Sequence, residues 1–374
     1  MGISRHSRTG HAVSRLLLIA GSLLWLGTAQ AAHREFWITI EQVTLHVAPH
    51  LDYQVYAFNG QVPGPLIHVQ EGDRVTVHVK NETGAMHTIH WHGLYNLGKD
   101  WRSDGVPGIT EAGIQPGHTE TYEWTAEKAG TLWYHCHNKV EDHIALRGMW
   151  GPLIIDPKDQ YKSPVEKQVT KTAILMMSGW QSKVAQKPTQ GGAPGTYDDY
   201  FSINGKSFPL DQPIRVKHGD VLSLRLINPA MQNVSMHLHG HDMLIVRRDG
   251  RLLKSPYWVD TIQLTSGERY EAIVFCNHTE GRFIFHDHID KHATNAGKYP
   301  GGIITVLEYN NGKPHDKWYP WHDIKYNPDF FYQQDMKKPY GMYDNPAFKG
   351  KGAEPESDEK FTGDGLILDN VRAR

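Results

Sequence analysis

The chain is poor in three things that often place a protein at once: cysteine, net charge and long apolar runs. Only two cysteines occur in 374 residues, Cys136 and Cys276. A disulfide framework is therefore excluded, and stability must come from a buried core. The formal net charge is −2. That gives no basic excess of the kind nucleic acid or an anionic membrane surface requires, so nucleic acid is not an expected partner. The N-terminal apolar run, residues 16–26, is too short for a comfortable membrane span, and the mature chain is expected to have none. It follows Arg5, Arg8 and Arg15 and precedes Ala29-Gln30-Ala31, an order that reads as a secretory signal peptide over residues 1–31. The expected location is periplasmic or extracellular. No adjacent arginine pair points to export in the folded state.

Long stretches of helical period are missing as well. Short apolar alternations bounded by Gly, Pro and Asn occur instead, as in Arg74-Val75-Thr76-Val77-His78-Val79. They run from about residue 35 to 157 and resume from about 169 to 308, which predicts an all-β chain of antiparallel strands in sandwiches. Cys276 ends the apolar run Ala272-Ile273-Val274-Phe275 and reads as a small core hydrophobe. After residue 308 comes an aromatic, Pro-rich tail with Trp318, Tyr319, Trp321, Phe330, Phe331 and Tyr332, too apolar for a free linker. It is expected to lie extended over another surface.

The two strand-rich halves carry the same landmarks in the same order. Asn59-Gly60 matches Asn204-Gly205, and Gly72-Asp73 matches Gly219-Asp220. His90-Trp91-His92-Gly93 aligns on His237-Leu238-His239-Gly240. The segment Gly130-Thr131-Leu132-Trp133-Tyr134-His135-Cys136-His137 aligns without a gap on Gly281-Arg282-Phe283-Ile284-Phe285-His286-Asp287-His288. Such agreement is the mark of a duplicated unit.

What the chain has in quantity is histidine, 24 in all. The focus is Tyr134-His135-Cys136-His137. A thiolate between two imidazoles offers one soft and two borderline metal ligands, and alternate strand positions point to opposite faces. Cys136 can face one metal while His135 and His137 face another. A His₂Cys set with a weak axial Met is the donor set of a blue electron-transfer copper, and His87, Cys136, His143 and Met149 can supply it.

These segments resemble those of the multicopper oxidases, in particular the two-domain, trimer-forming blue copper oxidases, over nearly the whole mature chain to about residue 308. The resemblance implies two cupredoxin-like Greek-key β-sandwich domains, 32–160 and 161–308, with residues 309–374 as an extended C-terminal tail. It implies four coppers per subunit. His90 and His237 match the ligands of the type 2 copper, and His92, His135, His137, His239, His286 and His288 those of the type 3 pair. In the type 1 site the family sets its second His five residues past the Cys, where this chain has Glu141; His143 is read instead, with residues 138–142 as a loop longer by two.

In the second half Asp287 stands at the Cys position and Val234 at the first His position, so an equivalent blue site is lost and His292 is read as structural. Asp104 and Asp290 match acids that feed protons to the cluster in the family. The resemblance also implies a homotrimer with clusters at subunit interfaces, dioxygen and a reductant as substrates, and an exposed type 1 His that meets the reductant. The reductant class stays open among phenols, aromatic amines, metal ions and a redox protein. A copper nitrite reductase, which needs only one catalytic type 2 copper, and a non-enzymatic copper-holding protein are the alternatives.

Overall fold

The computed structural model describes residues 31–95, 102–186, 197–309 and 367–369. The signal peptide reading and most of the C-terminal tail fall outside the described residues. The first half contains β1 (His33–Ala48), β2 (Leu51–Phe58), β3 (Ile67–Gln70), β4 (Arg74–Asn81), β5 (His90–His92), β6 (Thr119–Thr125), β7 (Gly130–His135), the single-turn helix α1 (Val140–His143) and β8 (Trp150–Asp156). They form two sheets, ordered β2-β1-β4-β6 and β3-β8-β7-β5.

The second half contains β9 (Lys171–Trp180), β10 (Tyr200–Ile203), β11 (Ile214–Val216), β12 (Val221–Ile227), β13 (Val234–Leu238), β14 (Met243–Arg248), β15 (Arg251–Val259), β16 (Thr261–Leu264), β17 (Arg269–Phe275), β18 (Gly281–Asp287) and β19 (Ile304–Tyr309). Its sheets are ordered β10-β9-β12-β17-β14-β15 and β11-β19-β18-β13-β16. From the tail, β20 (Ile367–Asp369) adds antiparallel to β9.

The strands form where the sequence alternates. In β4, Val75, Val77 and Val79 all enter the first core while the neighbouring Arg74 is exposed. Asn59-Gly60 and Asn204-Gly205 both turn the chain with two successive positive φ values, 54° and 69° in the first and 51° and 76° in the second. That is the type I′ geometry Asn-Gly favours. The expectation of wholly antiparallel pairing needs correction: β1 pairs parallel to β4, β3 to β8, β9 to β12 and β11 to β19. The chain crosses to the opposite sheet between the members of each such pair, so it returns in the same direction, which a hairpin cannot do.

Three large apolar cores, with a small fourth cluster of Phe208, Ala293 and Ile304, hold the described chain together. One fills the first sandwich and one the second. The third lies between them, joining Leu45, Tyr53 and Ile154 from the first half to Ile174, Met176, Trp180 and Ile227 from the second.

Beside this apolar seam is a charged one. Thr131 Oγ1 on β7 donates to Glu271 Oε1 on β17 at 2.9 Å, and Arg225 meets both Glu271, at 3.1 Å, and Asp156 of the first half, at 3.6 Å. Arg247 lies 2.6 Å from Glu166 in the connector and 3.8 Å from Glu271. Gly130 is required here, because a Cβ on it would stand 2.5 Å from Gly250 Cα across the seam. The strand that carries Cys136 at its end is thus anchored on the second sandwich.

Candidate metal centres

The first centre lies inside the first sandwich. Past the end of β7, Lys139 takes a left-handed turn (φ 45°) and α1 makes one helical turn, which brings His143 back over Cys136. Cys136 Sγ is 3.3 Å from His143 Nδ1 and 3.9 Å from His87 Nδ1. The three ligand atoms all lie within 4.8 Å of one another. The opposite ring nitrogen of His87, Nε2, is held by Thr83 Oγ1 at 2.8 Å, which turns Nδ1 inward. Met149 is fully buried in the same core as Cys136, and its carbonyl accepts the Cys136 N–H at 3.1 Å.

Burial drives the titration of this set. It lowers His87 to about 3, helped by the charge of His143, and His143 to about 4, helped by Lys139 and Arg147. Both imidazoles therefore offer free lone pairs at neutral pH. Burial has the reverse effect on the thiol, pushing Cys136 up to about 11. A bound cation must displace that proton, as coordinating thiols require.

The expected exposed ligand is not found: His143 is only 2% exposed and His87 is fully buried. Tyr56 packs edge-on to both rings, at 4.8 and 5.3 Å, and the Asp142–Arg147 ion pair closes the turn behind them.

Two quartets of imidazoles occupy equivalent positions in the two halves. On β5 and β7, His90 pairs directly across from His135; on β13 and β18, His237 pairs directly across from His286. Direct cross-strand neighbours have Cβ atoms about 5 Å apart, so the register itself gathers the rings. The ligand atoms of His90, His92 and His135 lie within 4.8 Å of one another, and the His137 ring stands 5.4 Å from His90.

In the second quartet His239 Nε2 and His286 Nε2 are 3.2 Å apart, and the His288 ring is 5.6 Å from both His237 and His286. Burial lowers His135 well below the usual range and His92 to about 3, the latter with Arg269 contributing. His90, His239 and His286 are lowered too, chiefly by burial. Among the described residues no ring contact or hydrogen bond joins one quartet to the other. His239 and His288 face solvent.

Of the two predicted acids, Asp104 sits against the first quartet. Its carbonyl meets His90 Nδ1 at 2.7 Å and its carboxylate lies 3.4 Å from the same atom. Gly105 makes this possible: at φ +73°, a Cβ there would stand 1.9 Å from the Ile89 carbonyl oxygen. Asp290 is exposed at the start of the 3-10 turn Asp290–Ala293, and among the described residues no hydrogen bond or ion pair ties it to either quartet.

Asp260, which the sequence reading missed, repeats the Asp104 arrangement in the second half. Its carbonyl meets His237 Nδ1 at 3.0 Å, with the carboxylate 4.0 Å away. Spacing could not reveal it, since it follows His237 by 23 residues while Asp104 follows His90 by 14.

The donor chemistry fits copper. A buried thiolate, two imidazoles and a neighbouring thioether suit a blue copper, and clustered neutral imidazoles suit further copper ions. Residues 39–160 and residues 180–297 each match a multicopper oxidase family. Among known proteins, the rice (Oryza sativa subsp. japonica) Laccase-15 is 35% identical over 274 residues, covering 69% of this chain; the chain spans 44% of that laccase's length. The solved structure of a multicopper oxidase named mgLAC is 56% identical, with a TM-score of 0.74 over 84% of this chain and 98% of its own. The crystal structure of a blue copper oxidase from Nitrosomonas europaea is 50% identical, with a TM-score of 0.74 over 82% of this chain and 95% of that one. With both sandwiches matched and the same ligand-bearing strands in each, the chain belongs to the multicopper oxidase family.

Proposed function

We propose that this chain is a laccase-like oxidase that takes electrons one at a time from a reductant and reduces dioxygen to water. The observation that carries the reading is the junction at the end of β7. Cys136 points into the buried His87–His143 set, while its neighbours His135 and His137 point into the first quartet. Copper, when bound, supplies the one-electron exchange and the affinity for dioxygen. The residues do the rest. His87, Cys136, His143 and Met149 hold one ion away from water; His90 and His237 hold a second; His92, His135, His137, His239, His286 and His288 hold a pair, giving four coppers per subunit. The backbone from Cys136 to its two neighbouring imidazoles is the shortest covalent link between the sets, so no mobile carrier is needed.

Reduction of dioxygen consumes protons. Asp104 is proposed to deliver them at His90, with the sequence-derived Asp290 as its counterpart in the second half. Asp260, already within reach of His237, is the stronger candidate for that second role.

The quartets are proposed to meet between subunits of a homotrimer, the first quartet of one copy facing the second quartet of the next. A head-to-tail contact repeated three times closes a ring. In support, His239 and His288 are exposed beside the exposed apolar side chains Ile284, Ile289, Trp258 and Phe275. A cleft of about 440 Å³ next to His237 is lined in part by Trp258 and Phe275. Exposed apolar surface around an open ligand set is what an unfilled interface looks like.

Residues 1–31 are proposed to direct secretion to the periplasm or beyond; among the described residues no helix is long and apolar enough to cross a membrane. Oxygen uptake with a panel of phenols, aromatic amines, metal ions and reduced redox proteins tests the activity, with Cys136→Ser as control. Nitrite consumption without oxygen uptake would replace the reading with a nitrite reductase. Copper binding without any turnover would replace it with a storage role. An active, fully loaded monomer would remove the trimer.

A further inference from the structure

The second sandwich contains, at the place of the lost blue site, a buried polar assembly that repeats the first site's hydrogen bonds. In the first half Cys136 Sγ accepts from the backbone N–H of Asn138, at 3.4 Å, and from that of Thr88. In the second half Asp287 Oδ1 accepts from the backbone N–H of Ile289 at 3.0 Å and of Ser235 at 2.9 Å. These are the equivalent positions: two residues past the ligand position, and one past Val234, which stands where His87 stands. The backbone N–H of Cys136 bonds the Met149 carbonyl at 3.1 Å and that of Asp287 bonds the Ile303 carbonyl at 3.0 Å, so Ile303 takes the thioether's place.

A carboxylate has a second oxygen that a thiolate lacks. Asp287 Oδ2 reaches His292 Nδ1 at 2.7 Å, against 3.3 Å between Cys136 Sγ and His143 Nδ1 in the first half. His292 Nε2 meets Gln232 Oε1 at 3.0 Å; the amide nitrogen of Gln232 donates to Asp198 Oδ2 at 2.9 Å, and Asp198 Oδ1 accepts from Gln181 at 3.0 Å. The His292 ring packs against Phe201, tilted by 32° with centroids 4.4 Å apart. Asp287 is fully buried and His292 is 3% exposed. Both ring nitrogens of His292 face acceptors, so neither is directed at a vacant metal position.

We propose that Asp287 and His292 form a metal-free strut, a direct bond in place of the copper bridge, whose role is to position His286 and His288. Asp287 lies between those two residues on β18 with its side chain on the opposite face, and it ties β18 to β13, which carries His237. In the first half a bound copper can fix the equivalent strand end. In the second half the carboxylate does so before any metal arrives, which suits a quartet that is solvent-exposed within its own chain. This makes Asp287 a positioning residue, and it rests on the reading that the second quartet holds copper.

The experiment is copper titration of the full-length protein followed by electron paramagnetic resonance. The blue absorption at Cys136 is the internal reference for the first site. Asp287→Ala is expected to keep the blue band and to weaken uptake of the remaining coppers at least tenfold, with a changed type 2 spectrum. His292→Ala should shift the same coppers in the same direction. Asp287→Asn keeps an acceptor for the Ser235 and Ile289 N–H groups and is expected to fall between wild type and Asp287→Ala.

Wild-type affinity for the non-blue coppers in Asp287→Ala overturns the proposal. If that variant is not recovered folded, unchanged uptake in both Asp287→Asn and His292→Ala overturns it equally. Wild-type protein that binds copper only at the blue site removes the reading of the second quartet instead, which keeps the two failures apart.

Discussion

The buried imidazole of His87 makes the metal-free protein sensitive to acid, by an amount that can be worked out. The folded state holds this group at about 3, against an ordinary value of 6.5, because burial penalises the charged ring. A depressed value means that the unfolded chain binds the proton first. The stabilisation is therefore complete above 6.5 and is lost as pH falls towards 3. Between pH 7 and pH 4 the unfolded state gains about 2.5 pK units of proton binding that the folded state does not, equivalent to about 3 kcal/mol.

The perturbation is His87→Leu, which removes the titration and the pH-independent bond to Thr83 together. Unfolding of copper-free wild type and variant by urea, at pH 7, 6, 5 and 4, gives two stability curves. His143 is present in both, so the desolvation of its own ring cancels, and the difference reports His87 together with its repulsion from His143. The gap between the curves should close by about 3 kcal/mol on acidification, with most of the change below pH 6. Curves that stay parallel would refute the assignment of His87 as a neutral, desolvated ring. Copper should steepen the wild-type curve, because the bound ion holds Cys136 deprotonated in the folded state while the thiol of the unfolded chain takes the proton back.

Other outcomes follow from the same geometry. The Cys136 thiol stands at about 11 in the copper-free protein, so copper binding at the first site should release one proton; affinity there should rise about tenfold per pH unit between pH 6 and 8, measured by competition with a chelator. Gly105→Ala puts a Cβ 1.9 Å from the Ile89 carbonyl oxygen at a φ of +73°. It should cost more than about 1 kcal/mol and, by moving Asp104 off His90, lower the type 2 copper signal while leaving the blue band. Glu271→Leu strips Arg225 and Arg247 of their buried carboxylate. It should destabilise the protein by about 3 kcal/mol, read as a shift in the denaturant midpoint.

The repeated architecture gives the two halves different tasks from one plan. Both bring an imidazole pair from one strand across from a pair on its neighbour, with His90 opposite His135 and His237 opposite His286. They diverge on the other face of the same strand. There the first half directs sulfur at two imidazoles, and the second directs a carboxylate at one imidazole and the backbone. One substitution on a strand can change the inward face without disturbing the other, because successive side chains point apart.

The candidate donor set was legible in the sequence alone, as far as donor chemistry and strand alternation reach. A thiol between two imidazoles, repeated His-x-His pairs and matched Asn-Gly turns depend only on residues adjacent in the chain. The absence of a thiol at the equivalent place in the second half was legible too, because Asp287 aligns on Cys136 without a gap. Tertiary structure decided whatever depends on irregular segments closing over a distance. The one-turn helix that buries His143, the carbonyl and carboxylate that Asp260 brings to His237, and the strut from Asp287 through His292 to Gln232 join residues whose separation follows no period. The parallel strand pairs belong with these, since chain direction after a crossover is set by which sheet receives the strand. Alternation records which way a side chain faces, and only the packed chain supplies what it meets.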